Sequence, residues 1–343
     1  MTLTLPAPRI IDADAVPALR WGVVGVGIAD RFVSALHAHT PQRAVAVTSR
    51  RRERAESFAA THGVVSVYDS VDALVSDPAV DAVYVATPHP LHLEQAMAAI
   101  AHGKHVLVEK PIAMSAAEAA TMTAAGRDMG VLVMEAMWTR YLPQSDIVRQ
   151  ILADGLIGDV SMVLADFGFC APADPTHRLW NPELGGGALL DAGVYPVSFA
   201  SSVLGAPSEV HAVGTALDNG VDVQASLALG YASGATALVA TSLRTVMPIE
   251  AQVLGSAGRL KVLSPFFGPS GVEVTTGQFE TTQVATWRDE RYPGMYDAMC
   301  GEAIAFASYV AEGRVESPLH PHDEVVSVLA TIDEARAQLT GSR

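Results

Sequence analysis

Between residues 20 and 135, short apolar runs alternate with helix-like stretches, and this rhythm limits the chain more than any other feature. The runs are "RWGVVG" (20–25), "AVAVTS" (44–49), "VVSVY" (64–68), "AVYVAT" (82–87), "HVLVE" (105–109) and "VLVME" (131–135). Helical patterns lie between most of them, over 28–38, 51–61, 89–103 and from Ser115 to Gly130. Strands joined through helices run parallel, and a parallel sheet is covered on both faces, so its strands read as unbroken apolar runs. Ser115 suits the start of the last helix and Gly130 its close. The expected fold class is α/β, with an N-terminal Rossmann-type, doubly wound parallel sheet.

Past residue 138 the rhythm changes. After a helix over 144–153, strand-like segments follow one another with no crossover helix: "VSMVLADFGF", "SEVHAVGTAL", "VQASLALGY", "GATALVATSL", "IEAQVLGS", "RLKVL" and "GVEVTTG". Such neighbours form a largely antiparallel sheet. One helix (185–205) interrupts early, and two (295–312 and 321–340) close the chain. A chain of 343 residues is long for one core. We therefore expect an N-terminal extension (1–19), a nucleotide-binding domain (20–137) and a C-terminal α+β domain (138–343). The extension reads as a poorly ordered tail or a surface arm.

A net charge of −15 disfavours nucleic acid and anionic membranes as partners. No run of about 18 apolar residues marks a membrane helix, and the N-terminus lacks a basic start and an apolar signal core. Cys170 and Cys300 stand outside any CxxC pair, which argues against a disulfide framework or structural zinc and suits the cytoplasm.

"GVVGVGIAD" (22–30) sets Gly25 and Gly27 directly after the first strand, with Ile28 and Ala29 opening a helix. Glycines there permit a tight turn and let a pyrophosphate approach the helix N-terminus. The third small residue is displaced: Asp30 stands three beyond Gly27, and Ala29 comes one place early. Alone, the pair also fits an ordinary strand–helix turn; its place in a βα pattern favours a dinucleotide site. An NAD site wants Asp or Glu at the end of the second strand. Here the strand runs into "SRRRER" (49–54), where Ser49 and Arg50, with Arg54 a turn beyond, suit a 2′-phosphate. NADP is expected over NAD, against the plainer reading of a solvated helix start. "TPHPLH" (87–92) puts Thr87, Pro88, His89 and His92 on the same sheet edge. The histidines lack a third ligand nearby, so cofactor contact or polar surface is expected, and no metal.

"HVLVEKPIAM" (105–114) places Glu109 and Lys110 at the C-terminal end of the fifth strand, where doubly wound folds bind ligands. A lysine ending a strand also simply snorkels to water. In "GGGALLDAGVYP" (185–196) three glycines let the backbone pass close to a neighbour, and a helix presents Asp191 and Tyr195 on one face. A carboxylate and a phenol facing a lysine form a proton-handling set, the cation lowering the phenol from its usual value of about 10. The plainer reading is a buried tyrosine satisfied by an aspartate. Phe167, Phe169, Arg178 and Trp180 precede the glycines and suit either a substrate pocket or packing.

Together, "HVLVEKPIAM", "MEAMWTRYLP" (134–143), "GGGALLDAGVYPV" and "GRVESPLHPHDEV" (313–325) resemble the Gfo/Idh/MocA oxidoreductases, in the branch acting on sugars and dihydrodiols. The resemblance implies a Rossmann domain followed by an open-faced sheet that pairs copies into a homodimer or higher homo-oligomer. It implies Lys110 as the catalytic lysine of an E-K-P motif, its Lys–Pro bond often cis. Asp191 and Tyr195 fall on the D-x-x-x-[H/Y] pair, and Trp138 and Arg140 beside the nicotinamide. The expected activity is NADP-dependent hydride transfer to or from a sugar or vicinal-diol substrate, with Tyr195 handling the hydroxyl proton. A sugar–sugar oxidoreductase with tightly held cofactor, and a non-catalytic NADP-binding sensor, stay open as alternatives. Missing cysteine ligands argue against a zinc dehydrogenase, and the absence of Y-x-x-x-K at Tyr195 against a short-chain one.

Overall fold

The structure, a computed structural model, describes residues 3–174 and 176–341. It divides into two compact units, each built on one sheet. In the first, the elements are β1 (Arg20–Val24), α1 (Ala29–His39), β2 (Arg43–Thr48), α2 (Arg52–His62), β3 (Ser66–Tyr68) and α3 (Val71–Val75). They continue with β4 (Ala82–Val85), α4 (His92–Ala101), β5 (His105–Glu109), α5 (Ala116–Met129) and β6 (Val133–Ala136). The six strands pair in parallel in the order β3-β2-β1-β4-β5-β6. This is the doubly wound order, whose reversal between β1 and β4 opens a crevice at the C-terminal strand ends. Ser115 accepts from Glu118 N–H at the start of α5, and Gly130 closes it in the left-handed region. Two details differ from expectation. The five-residue α3 has too few residues to show a period, and Pro90 turns residues 89–91 into a 3₁₀ turn ahead of α4.

The second unit contains α6 (Pro143–Ala153), β7 (Val160–Gly168), α7 (Val194–Leu204), β8 (Glu209–Ala216) and β9 (Asp222–Gly230). Then come β10 (Thr236–Ser242), β11 (Ala251–Gly255), β12 (Gly258–Val262), β13 (Gly271–Thr276) and β14 (Gln283–Arg288). Its eight strands run β14-β13-β12-β11-β7-β10-β9-β8, antiparallel except for the β7–β10 pair. Helix α7 packs on β7 and β10. The stretch Pro182–Leu204 is apolar and long enough to cross a membrane by composition, yet most of it is buried as a core helix of this unit.

Helices α8 (Cys300–Ala311) and α9 (His322–Gly341) follow. A division at residue 138 assigns both to the second domain, but the segment Pro293–Val326 belongs to the first unit. Long-range contacts decide this. Phe306 lies 4.9 Å from the Trp21 ring, and Gln42 accepts from Trp21 Nε1 (2.8 Å) while donating to Ala303 O (3.1 Å). Val133 N–H donates to Val315 O, so the segment also covers the edge of β6. Conversely, residues 3–10 lie with the second unit as an arm. Arg9 pairs with Asp146 at 2.8 Å, and Gln150 donates to Ala7 O.

Candidate active site

In the first unit the β1–α1 turn requires glycine at 25. Its φ is +92°, and a Cβ there would stand 2.6 Å from Ala86 O. Gly27 differs: a Cβ would meet nothing within 4 Å, so glycine leaves open space before α1. Ile28 is part-exposed beside it and Ala29 fully buried. At the start of α1, Asp30 and Arg31 N–H close back on Gly27 O (3.3 Å) and Ile28 O (2.9 Å), and the positive end of the helix dipole faces the turn, which fits an incoming pyrophosphate. At the end of β2, Ser49 is half-buried and Arg50 and Arg54 are exposed. Arg52 is committed to Glu56 and Asp69, whereas neither Arg50 nor Arg54 makes an ion pair among the described residues.

Thr87 donates to Gln95 Oε1, and both nitrogens of buried His92 face carbonyl oxygens, Thr87 at 2.9 Å and Pro111 at 3.0 Å. Burial pushes the His92 imidazole below its ordinary value. His89, also buried, stands beside it with ring centroids 5.7 Å apart; Pro88 leads into this turn. Glu109 points inward: it accepts from Tyr84 Oη and from Lys110 N–H, and burial raises its carboxyl above the usual range. Lys110 is half-buried at the C-terminal end of β5, and its bond to Pro111 is cis. Trp138 is buried and stacks on Tyr296 (6.1 Å, 17°), whose ring also lies 5.4 Å from the Arg31 guanidinium. Arg140 is buried and pairs with Glu324 at 2.5 Å. Burial raises the Glu324 carboxyl, but His320 and Arg140 outweigh it and hold it down to about 2. Tyr296, in the 3₁₀ turn Met295–Met299 that leads into α8, gave no signal in the sequence beyond that of an ordinary helix position.

In the second unit the three glycines have separate reasons. Gly185 caps a turn at φ 72°. A Cβ on Gly186 would stand 2.6 Å from Leu179 O, and one on Gly187 (φ 129°) 2.4 Å from Asp222 Oδ1. Asp222 Oδ2 accepts from Leu189 N–H at 2.7 Å, seating the turn that follows. That turn, Leu189–Gly193, is π-helical and carries Asp191; Tyr195 comes one turn later in α7. Asp191 is 7% exposed and accepts from Arg178 at 2.8 Å. The Tyr195 ring lies against Phe167 (5.5 Å) and Phe267 (5.3 Å), and these two stack at 4.5 Å. Phe169 and Trp180 instead pack on Leu179, Ala188 and Leu243, with Trp180 Nε1 donating to Pro172 O. Asp222 and Phe267 were not legible, since each meets this site only through contacts between residues far apart in the chain. Arg178 is tied to the site by charge.

A glycine turn at the switch point of a doubly wound sheet is the arrangement of dinucleotide-binding folds. The chain belongs to the Gfo/Idh/MocA family: residues 19–137 match its NAD-binding Rossmann fold and residues 146–261 its C-terminal domain. It is 35% identical to the trans-1,2-dihydrobenzene-1,2-diol dehydrogenase of Mus musculus, over 93% of this chain and 96% of that one. A 3-ketoreductase from Actinomadura kijaniata, crystallised with NADP and TDP-benzene, is 30% identical with a TM-score of 0.80, covering 94% of this chain and 98% of that one. An NAD-binding oxidoreductase from Klebsiella pneumoniae shares the fold (TM-score 0.85, 24% identity, 95% and 98% covered). The chain is therefore an oxidoreductase acting on CH–OH groups.

Proposed function

We propose that this protein is an NADP-dependent dehydrogenase or reductase of a sugar or vicinal-diol hydroxyl, or of the matching carbonyl. One observation carries the reading: in a single sheet, the turn that requires Gly25 follows β1 and Lys110 follows β5, so both lie on the ligand-binding edge. When bound, the nicotinamide supplies the hydride acceptor or donor. Gly25 and Gly27 admit the pyrophosphate to α1, and Ser49, Arg50 and Arg54 receive the 2′-phosphate. Thr87, Pro88, His89, Trp138 and Arg140 shape the rest of the cofactor site. Tyr195 takes the hydroxyl proton in oxidation and returns it in reduction. Lys110 supplies positive charge to the developing oxyanion. Asp191, fixed by Arg178, orients a substrate hydroxyl, while Phe167 and Phe267 hold the tyrosine ring.

The name of the Mus musculus relative supports a vicinal diol, and the NADP-bound 3-ketoreductase supports both a sugar-type carbonyl and NADP. That ketoreductase has also been crystallised with a lysine and, separately, a tyrosine replaced. We further infer a homodimer through the outward face of the eight-stranded sheet, where Val213 and Leu238 are exposed beside an apolar depression of about 490 Å³. Work in the cytoplasm suits the exposed, unpaired Cys170. The decisive experiment screens aldoses, cyclitols and trans-dihydrodiols with NADP and with NAD, then repeats the active pair on two variants. Tyr195→Phe and Lys110→Met should each lose about 10²–10⁴-fold in turnover and still quench on binding NADPH. Near-normal turnover in either variant overturns the assignment.

A further inference from the structure

The C-terminal motif "SPLHPHDE" reaches the lysine loop through buried charge, and no step above uses it. Lys110, Pro111 and Ile112 are each held by backbone: Lys110 N–H donates to Glu109 Oε2 (3.1 Å), Pro111 O faces His92 Nδ1 (3.0 Å), and Ile112 N–H donates to Glu135 Oε1 (2.8 Å). Pro111 has no N–H of its own, so the donors at 110 and 112 set the direction of the lysine. Glu109 and His92 lie on the same sheet edge. Glu135 lies on β6, and its second oxygen is occupied by His320 Nε2 at 2.7 Å. His320 is fully buried; its other nitrogen faces Glu324 at 3.6 Å, and Glu324 in turn holds Arg140. The turn carrying His320 is itself pinned, by a Ser317–His320 bridge, by Tyr141 Oη on Ser317 Oγ (2.8 Å), and by His322 Nε2 against Val133 O (2.8 Å).

Covering the edge of β6 needs only backbone pairing and apolar side chains. A glutamate and a histidine, each 2% exposed, are costly substitutes for these. What they add is one directed acceptor, placed two residues after Lys110.

We propose that Glu135 and His320 are a positioning pair for Lys110: His320 fixes the rotamer of Glu135, Glu135 fixes Ile112 N–H, and the lysine is thereby aimed. This rests on the assignment of Lys110 above, and Glu324 extends the same chain of contacts to Arg140.

The test separates the two claims. The chain has only three lysines, Lys104, Lys110 and Lys261, so ¹³C-labelled lysine gives an assignable side-chain spectrum. In His320→Ala the Lys110 signal should move and broaden, while Lys104 and Lys261 stay in place. His320→Gln, which keeps an N–H for Glu135, should return it most of the way and guards against a folding failure of the alanine variant. An unmoved Lys110 signal in His320→Ala overturns the proposal whatever the activity. With the active substrate from the screen, kcat should fall about 10²-fold, the loss expected for misplacement of a catalytic group by about 1 Å. NADPH affinity should change less than about threefold, a misaimed lysine leaving the pyrophosphate site intact. In a Lys110→Met background, His320→Ala should add less than about twofold, because a residue acting through Lys110 has nothing left to act on. A full multiplicative loss there also overturns it. If Lys110→Met itself keeps its turnover, the catalytic assignment falls, and the lysine spectrum alone decides the positioning claim.

Discussion

Glu302 tests the charge logic of the first unit. It sits in the first turn of α8 with 0% exposure, and neither carboxyl oxygen has a hydrogen-bond partner. Burial, and the nearby Glu109, push its carboxyl well above the usual range. An ionised group so placed would cost several kcal/mol, so the folded protein keeps the proton. Between the unfolded pKa of about 4.3 and the higher folded one, the folded chain binds more protons than the unfolded chain. Stability therefore falls as pH rises through that window, by about 1.4 kcal/mol per pH unit for one group. Glu302→Gln has no such proton to lose. Its unfolding free energy should gain on the wild type as pH rises above the unfolded carboxylate value, and converge with it, or drop below, near pH 4. Urea unfolding followed by tryptophan fluorescence at several pH values measures the difference, and Trp21 and Trp138 report on this unit. A gap between the two proteins that stays constant with pH, or turns against Gln as pH rises, would show that Glu302 is ionised and paired, and would refute the reasoning.

Gly27→Ala should leave the melting temperature unchanged, since the added methyl meets nothing, yet weaken NADPH binding at least tenfold, read by fluorescence titration. Gly25→Ala should instead cost at least about 1–3 kcal/mol in stability, from its positive φ and the contact with Ala86 O. Glu324 carries the opposite pH sign to Glu302. Its folded carboxyl is held down to about 2, so its contribution is present above the unfolded value and lost as pH falls towards 2. Glu324→Gln should be less stable than wild type at pH 7, with most but not all of that deficit gone by pH 2.5, by thermal unfolding. Ser49→Asp combined with Arg50→Ile should move cofactor preference towards NAD, measured as the ratio of kcat/KM with the two cofactors.

Much of the first unit was legible because its information is local. A parallel strand buried on both faces is a run of apolar residues, and "HVLVE" maps directly onto β5, His105–Glu109. The helix caps at Ser115 and Gly130 also act within one turn. The antiparallel character of the second sheet was readable from the missing crossovers, but β14 was not, because its residues 283–288 are mostly exposed and carry little apolar pattern. The placement of Pro293–Val326 with the first unit depends on Phe306 meeting Trp21 across 285 residues of chain. Nothing local encodes that.

The same distinction runs through the site. Lys110, Asp191 and Tyr195 stand in motifs where residue type and spacing suggest chemistry, so each was visible as a candidate. The residues that fix their environment announce themselves only through contacts: Asp222 through Leu189 N–H, Phe267 through the Tyr195 ring, Glu135 through Ile112 N–H. The glycine run shows the difference most directly. From sequence, "GGG" said that a backbone passes close to something. The structure names what it passes: the Leu179 carbonyl for Gly186, and for Gly187 a buried carboxylate that holds the turn bearing Asp191. A substitution at Gly187 therefore acts on Asp191 through Asp222. Gly187→Ala should lower kcat more than it lowers cofactor affinity, whereas damage confined to the dinucleotide turn at Gly27 should do the reverse.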